Sequence, residues 1–315
     1  MGKTRSVRLL LMSSFLVLLS FAGLARAEFQ PFVEGTPFAG DVEAAVTAAR
    51  ASLAAEGLDV VGAYAPTKGV RVLTVSSEAL RETASKSKRG GYGAVVSIAF
   101  EQAGAETRIS YQNPQYTAHG YRLEGDNESA FQALAGALGA TGYFGGEAIS
   151  KANLRTYQYA FGLETFVDPV DLGRFGGFSS ADRQITERVK NGELGTELVY
   201  RVKIPGKNQI VYGVAMQTED PNAHGAALVQ AVDHDAPRGY AFLPYPILLD
   251  GNAAETLNLR FRMALFFPDL PMMGGEASFF KLRSAPDAIN DLLVAVVDGE
   301  IQKEERSSGG GFGTF

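Results

Sequence analysis

The sequence predicts an α+β fold in which two similar halves follow one another along the chain. Segments with apolar residues at helical spacing alternate with short strand-like segments bounded by Gly, Pro, Asn and Asp. Both halves read in the order α-β-β-α-β-β-α, and a shift of 140 positions places Tyr121-Arg122-Leu123 on Phe261-Arg262-Met263. We therefore expect two repeats, residues 28–139 and 180–298, in which sheets pack on helices.

The first half begins with a helix at residues 42–53, whose apolar side chains recur at helical spacing. Strands follow at 58–64 and 70–75, and then a second helix at 77–87. Strands at 94–100 and 107–111 form a predicted hairpin around Gly104. A third helix at 128–138 has Asp126 or Asn127 as its predicted cap, because such side chains accept free backbone N–H groups.

The second half repeats this order, starting from a helix at 180–190 that Asn191-Gly192 is expected to end. Strands at 198–204 and 210–216 join across Pro205-Gly206, and a helix follows at 222–232. Further strands are predicted at 240–249 and 256–266, around Asp250-Gly251. The closing helix at 287–297 has Ser284 or Asp287 as its predicted cap.

The connecting segment, residues 140–179, is rich in glycine and aromatic residues. Aromatic side chains carry a large apolar surface, so we expect this segment to pack between the two halves. Residues 299–315 mix charges with Ser307-Ser308 and three glycines and are expected to form a disordered tail.

Residues 1–27 have the pattern of a secretory signal peptide. Basic Lys3, Arg5 and Arg8 precede an apolar stretch at 9–24, which Ala25-Arg26-Ala27 closes. The stretch is shorter than the roughly 20 apolar residues of a spanning helix. We expect cleavage near Ala27, a periplasmic or secreted protein, and no stable membrane insertion after cleavage.

Composition excludes several classes of function. The chain has no cysteine, which rules out disulfides, thiolate metal sites and a cysteine nucleophile. Four of the 29 basic residues lie in the signal segment, so the remaining chain has 25 against 35 acidic residues, a net charge of −10. This balance argues against nucleic acid and anionic lipid as partners.

Several short motifs carry a family resemblance. They are Gly91-Tyr92-Gly93-Ala94-Val95, Ser110-Tyr111-Gln112-Asn113-Pro114, Tyr157-Gln158-Tyr159-Ala160-Phe161-Gly162, Ile204-Pro205-Gly206-Lys207, Leu243-Pro244-Tyr245 and Arg260-Phe261-Arg262-Met263-Ala264-Leu265. Over residues 41–297 the chain resembles, in duplicated form, exported bacterial proteins related to the group named domain of unknown function 302. The resemblance implies a small α+β fold and is compatible with a bound cofactor such as haem, but it implies no catalytic residues.

Catalytic and metal motifs are weak. The glycine clusters fit neither the dinucleotide nor the Walker pattern, and no Gly-x-Ser-x-Gly occurs. The histidines are His119, His224 and His234, the last within Asp233-His234-Asp235. On one helix, His224 and His234 would lie about 15 Å apart, so they could not share an ion. They are weak metal candidates, and His234 is expected in a turn after the helix.

Two groups of residues are candidates for ligand binding. Arg122 and Arg262 fall at matched positions on predicted strands, and Arg260 would share a strand face with Arg262. Convergent guanidinium groups could clamp a carboxylate, a phosphate or a haem propionate; the alternative is a salt bridge between the halves or a solvated strand face. His119, Tyr111 and Tyr116, close to Arg122 in sequence, could form a pocket rim, although ordinary structural hydrogen bonding would use the same residue types.

A pair of methionines gives a third indication. Met272-Met273 lies in a predicted loop between Pro271 and Gly274, where an apolar pair needs a partner surface or a ligand. Histidine or methionine could also supply axial ligands to haem, which would be non-covalent because no Cys-x-x-Cys-His occurs. Met216 and Met263 are expected to be core residues.

Three classes of function stay open. The first and preferred is a non-enzymatic periplasmic protein that binds a small ligand or cofactor between two α+β lobes. The second is an interaction or assembly module that contacts another exported protein or a second copy of itself. The third is a hydrolase-like enzyme in which His119 or the Asp233-His234-Asp235 triplet would supply an acid and a base.

Overall fold

The computed structural model describes residues 28–192, 194–234 and 236–298, and over these residues the fold is α+β, as predicted. The predicted signal peptide and tail lie outside the described residues. The helices are α1 (Val42–Ala55), α2 (Glu78–Lys86), α3 (Pro114–Gly120), α4 (Glu128–Leu138), α5 (Lys151–Arg155), α6 (Phe178–Asn191), α7 (Gly225–Val232), α8 (Leu259–Phe266) and α9 (Ala285–Asp298). Among the helices of these ranges, none combines the length and apolar character needed to span a membrane.

The strands form two larger antiparallel sheets and one small pair. They are β1 (Glu28–Phe29), β2 (Phe32–Glu34), β3 (Phe38–Ala39), β4 (Asp59–Tyr64), β5 (Val70–Ser76), β6 (Val96–Ala103), β7 (Glu106–Gln112), β8 (Gly142–Phe144), β9 (Ile149–Ser150), β10 (Val170–Arg174), β11 (Thr196–Lys203), β12 (Gln209–Met216), β13 (Tyr245–Asp250) and β14 (Ala253–Thr256). The seven-stranded sheet has the order β4-β5-β6-β7-β2-β8, with β3 also paired to β7. The five-stranded sheet has the order β10-β14-β13-β12-β11, and β1 pairs with β9.

The two halves place corresponding elements in the same order. In each, a helix, two strands, a helix, a 3-10 turn and two more strands follow one another, and the turns are Gly90–Gly93 and Tyr240–Phe242. An earlier strand, β2 or β10, pairs beside the last strand of each set. The full two-repeat pattern, α-β-β-α-β-β-α in each half, stays a prediction.

Local signals explain most of these boundaries. Asp41 begins α1, and its carboxylate accepts the N–H of Ala44 at 2.8 Å. Gly192 ends α6 in the left-handed conformation that favours glycine. The β6–β7 hairpin turns at Gly104, as predicted. Asn127 takes the cap position of α4, although the side chain of Asp126 accepts the Glu128 N–H at 3.2 Å.

Of the last two strands predicted in the second half, the one at 240–249 is confirmed only from Tyr245 onward and the one at 256–266 is wrong. The region 240–249 starts with a 3-10 turn and becomes a strand only at Tyr245. The region 256–266 leaves β14 at Thr256 and forms α8, which Asn258 begins by accepting the N–H of Arg260 at 2.9 Å. All of α8 except Arg260 is buried, so its apolar residues do not mark a single helical face.

Tyr121 and Arg122 also lie outside any strand. They form the turn that ends α3, where Leu123 donates to the carbonyl of Ala118 and Arg122 donates to that of His119. Arg122 has a φ of 55°, a conformation that glycine usually takes at this position. The structure therefore contradicts the predicted strand positions of Arg122, Arg260 and Arg262.

The halves share a core. One cluster of buried apolar residues includes members of both halves, and a second lies beneath α1 and α4 on one face of the seven-stranded sheet. Residue Phe166 of the connecting segment contacts Tyr92 and Tyr121 on one side and Phe261 on the other. This aromatic contact joins the halves through the segment between them.

The 3-10 turn of each half packs on the sheet of the other half. Gly90–Gly93 contacts β12 and β13, and Tyr240–Phe242 contacts β6 and β7. The buried amide of Gln209 accepts the N–H of Gly91 and donates to the carbonyl of Lys88, both at 3.0 Å. Two ion pairs flank these contacts, Arg89–Glu255 at 2.7 Å and Arg238–Glu101 at 2.6 Å.

Candidate functional site

An apolar pocket of about 500 Å³ lies between the connecting segment and the second half. Its volume falls within the range of about 300–1,000 Å³ that is typical of small-molecule sites. Helix α8 forms one wall, and the opposite wall comes from residues 272–286. The apolar and aromatic residues that line it are Tyr159, Leu163, Leu259, Met263, Ala264, Met272, Met273, Phe279, Phe280, Leu282 and Pro286.

Hydrogen bonds hold the walls in place. The hydroxyl of Tyr159 donates to the carbonyl of Leu270 at 2.8 Å, and its ring meets that of Phe279 edge-on at 4.8 Å. The backbone N–H of Phe280 donates to the carbonyl of Met272 at 3.0 Å. These contacts fix the loop that carries the two methionines, so the pocket has a defined shape.

Large apolar side chains remain exposed at the mouth of the pocket. Met272 is 47% exposed, Met273 74% and Phe280 55%. Phe161 does not line the pocket, but it lies between Tyr159 and Leu163 in sequence and is fully exposed. Exposed apolar side chains grouped in this way mark binding surfaces more often than single ones do.

Two arginines are the charged residues that line the pocket within the described part of the chain. Arg260 forms an ion pair with Glu164, with 2.7 Å between Nη1 and Oε1. The guanidinium of Arg283 lies over the ring of Phe280, 4.7 Å from its centroid. The pocket therefore combines an apolar lining with two guanidinium groups, of which that of Arg260 is paired with a carboxylate.

Three of the predicted site residues, Arg260, Met272 and Met273, line this pocket. Arg262 does not line it. Residues two positions apart, such as Arg260 and Arg262, share a face in a strand but point in different directions in a helix. Arg262 is buried in the shared core, where its Nη2 donates to the carbonyl of Phe242 at 2.7 Å and its guanidinium lies over the rings of Phe242 and Tyr245.

The predicted rim around His119 lies elsewhere, and none of its residues lines the pocket. Tyr111 belongs to the core beneath α1 and α4 and donates to the carbonyl of Gly139 at 2.9 Å. Tyr116 belongs to the shared core and donates to the carbonyl of Leu265. Their hydroxyls thus serve separate structural contacts.

His119 is buried at the end of α3, with its ring 5.1 Å from that of Phe29. Within the described ranges its Nδ1 has no hydrogen-bond partner. Burial, followed by the positive charges of Lys151 and Arg155, lowers its pKa to about 4. His119 is therefore neutral at physiological pH.

The other histidines also lie apart from the pocket. His224 begins α7, and its Nδ1 accepts the N–H of Ala227 at 3.3 Å. His234 is exposed just after α7, as expected. The described residues contain no group of three His, Asp or Glu side chains that could hold a metal ion. A haem in the pocket would have to be ligated by Met263, Met272, Met273 or the phenol of Tyr159.

Sequence reasoning missed the aromatic half of the pocket. Phe279, Phe280 and Arg283 follow the methionines closely, and Tyr159 stands about 100 positions earlier. The signal in the sequence was the pair Phe279-Phe280, which lies between charged residues. Adjacent residues of a strand lie on opposite faces, so such a pair cannot be buried on one face of a strand. Comparison of the chain with known protein families, with curated proteins and with solved structures found no match.

Proposed function

We propose that this chain is an exported, non-enzymatic protein that binds a small, largely apolar molecule. The pocket of about 500 Å³, with a fixed loop and exposed methionine and phenylalanine side chains at its mouth, is the observation that carries this proposal. It lies beside the second half, whereas the sequence placed the ligand between two lobes.

The chemistry of the lining favours binding over reaction. Among the described residues that line the pocket, two arginines and one tyrosine are the ionisable groups. Both arginines stay protonated at any physiological pH, so they give no acid–base pair. Export is supported by the signal-peptide pattern at residues 1–27 and by the family resemblance, both of which are inferences from sequence.

The test is binding of N-phenyl-1-naphthylamine, an uncharged dye that fluoresces in apolar sites. We expect saturable binding to the protein purified from the periplasm and strong weakening by Ala264→Trp, which fills the pocket. Ala51→Trp, at an exposed position of α1, is the matched control and should bind as the wild type does. Near-ultraviolet circular dichroism checks that each variant folds.

If Ala264→Trp does not fold, Met273→Glu takes its place, because Met273 is exposed and tolerates a charge. A carboxylate at the mouth should weaken dye binding several-fold. The proposal is wrong if the wild type does not bind the dye, or if folded variants of the pocket bind it unchanged. A Soret band in the purified protein that is lost on Met272→Ala or Met273→Ala would identify the ligand as haem.

The exposed mouth also favours a second candidate, a protein interface at the same surface. A partner or a second copy of the chain would then contact four exposed side chains, those of Met272, Met273, Phe280 and Phe161. Native mass spectrometry distinguishes the two. A stable oligomer without ligand that dissociates on Met273→Asp would favour the interface.

A further inference from the structure

The two arginines of the pocket differ in their partners. The charge of Arg260 is balanced by Glu164, whose Oε1 also accepts from the side-chain amide of Asn258 at 3.3 Å. A new anion at Arg260 would have to compete with that carboxylate. Arg260 is therefore already committed to a partner.

Arg283 has no such balance. Within the described ranges it forms no ion pair, and the one hydrogen bond of its side chain is a long one, from Nη1 to the carbonyl of Phe280 at 3.4 Å. Stacking on the ring of Phe280 orients the guanidinium but leaves most of its N–H donors free. A planar fork of this kind matches the two oxygens of a carboxylate.

We propose that the pocket takes an amphipathic monoanion, an aliphatic carboxylate whose carboxylate group binds Arg283. Its apolar chain lies against Met263, Met272 and Met273, unbranched side chains that adapt to a flexible hydrocarbon. Among the described residues that line the pocket, Arg283 is the one cation without an ion pair, and one positive charge fits one negative charge on the ligand. This inference rests on the proposed function, and it assigns the head group and the residue that recognises it.

The experiment compares three competitors with the same twelve-carbon chain: dodecanoate, dodecanol and dodecyltrimethylammonium. Each displaces the uncharged dye from the wild type at pH 8, with the two ionic competitors below their micelle concentrations and dodecanol below its solubility limit. We expect dodecanoate to bind about tenfold more tightly than dodecanol, a difference of about 1.4 kcal/mol, since its carboxylate adds a charge-assisted hydrogen bond to the contacts of the same apolar chain. The cation should bind most weakly.

Variants then locate the head group. Arg283→Gln should abolish the preference for dodecanoate while it leaves dodecanol binding nearly unchanged, and Arg283→Lys should restore part of the preference. Lys281→Gln removes a neighbouring positive charge that does not line the pocket, and it should keep the preference.

The outcomes separate the two proposals. Equal binding of dodecanoate and dodecanol overturns the inference and leaves the proposed function standing. So does a preference that survives Arg283→Gln, because the anion then binds elsewhere. Failure of the dye and of all three competitors to bind rejects the proposed function itself, and the inference fails with it.

Discussion

Arg262 is a buried cation that lacks an ion pair within the described residues. It is 2% exposed, and its Nε and Nη1 have no hydrogen-bond partner in that part of the chain. One carbonyl and two aromatic faces compensate the charge. Removing a charge from water costs several kcal/mol, and these contacts offset that cost. An apolar side chain of similar size at position 262 would give similar stability.

We expect the unfolding free energy of Arg262→Met to lie within about 1 kcal/mol of the wild-type value, because methionine fills similar space without a buried charge. Arg262→Ala should lose about 3 kcal/mol, since it leaves a cavity in the shared core. Urea unfolding measures both. Equal losses for the two variants would show that the charge itself stabilises the core.

His119 gives the protein a defined dependence on pH. Its pKa is about 4 in the folded protein and about 6.5 in the unfolded chain, so the unfolded chain binds the proton first as the pH falls. The contribution to stability is complete above pH 6.5 and is lost between pH 6.5 and 4, up to about 3 kcal/mol.

The measurement compares unfolding free energies of the wild type and His119→Gln between pH 7.5 and 4.5. The wild type should lose more stability over this interval than the variant does. Parallel curves would mean that another group causes the pH dependence.

Among the elements, the sequence predicted those that have clear end signals, whether one face is buried, as in α1, or every residue, as in β12. Helix α1 and the β6–β7 hairpin are examples, because Asp41 and Gly104 mark their limits. Helix α8 could not be assigned in this way, since a segment buried on nearly every side has no polar face. Helix α3 was missed because seven residues are too few for a periodic pattern, although Asn113-Pro114 is a typical helix start.

The pocket was predictable only in part, because its lining comes from segments that are distant in sequence. Met272 and Met273 could be recognised because an apolar pair in a polar loop is unusual. The connecting segment and the 3-10 turn at Phe279–Leu282 meet them only in the folded chain. No local pattern specifies a contact between segments about 100 positions apart.

Strands β4 and β11 lie against each other where the two larger sheets meet, and both contain a bulge. Gly62 lies so close to Val199 that a Cβ would stand 2.3 Å from its carbonyl oxygen. We expect Gly62→Ala to lower the unfolding free energy by about 1–3 kcal/mol, because backbone cannot move aside as a side chain can.

Gly176→Ala is the matched control for thermal or urea unfolding. A Cβ at Gly176 meets no atom within 4 Å, so its effect should stay within about 0.5 kcal/mol. Similar losses for the two alanines would show that β4 and β11 can separate at little cost.

At the scale of the whole molecule, the halves depend on each other. The 3-10 turn of each half packs on the sheet of the other half, and the ion pairs Arg89–Glu255 and Arg238–Glu101 flank these contacts. Without the other half, each sheet would lose these contacts. We therefore expect one cooperative unfolding transition, with calorimetric and van't Hoff enthalpies that agree. Two separated transitions, or a folded fragment 170–298 that keeps β10 and is expressed alone, would contradict this.

The exchanged turns also impose a time order on the newly made chain. Gly91 emerges 157 positions before Leu248, the side chain that covers it. Until the later strand arrives, the apolar surface around the turn stays open to water and to other chains. The shared core can close only after Leu248 has emerged, so the folding of that core follows the synthesis of most of the chain, whereas the cluster beneath α1 and α4 consists of first-half residues alone.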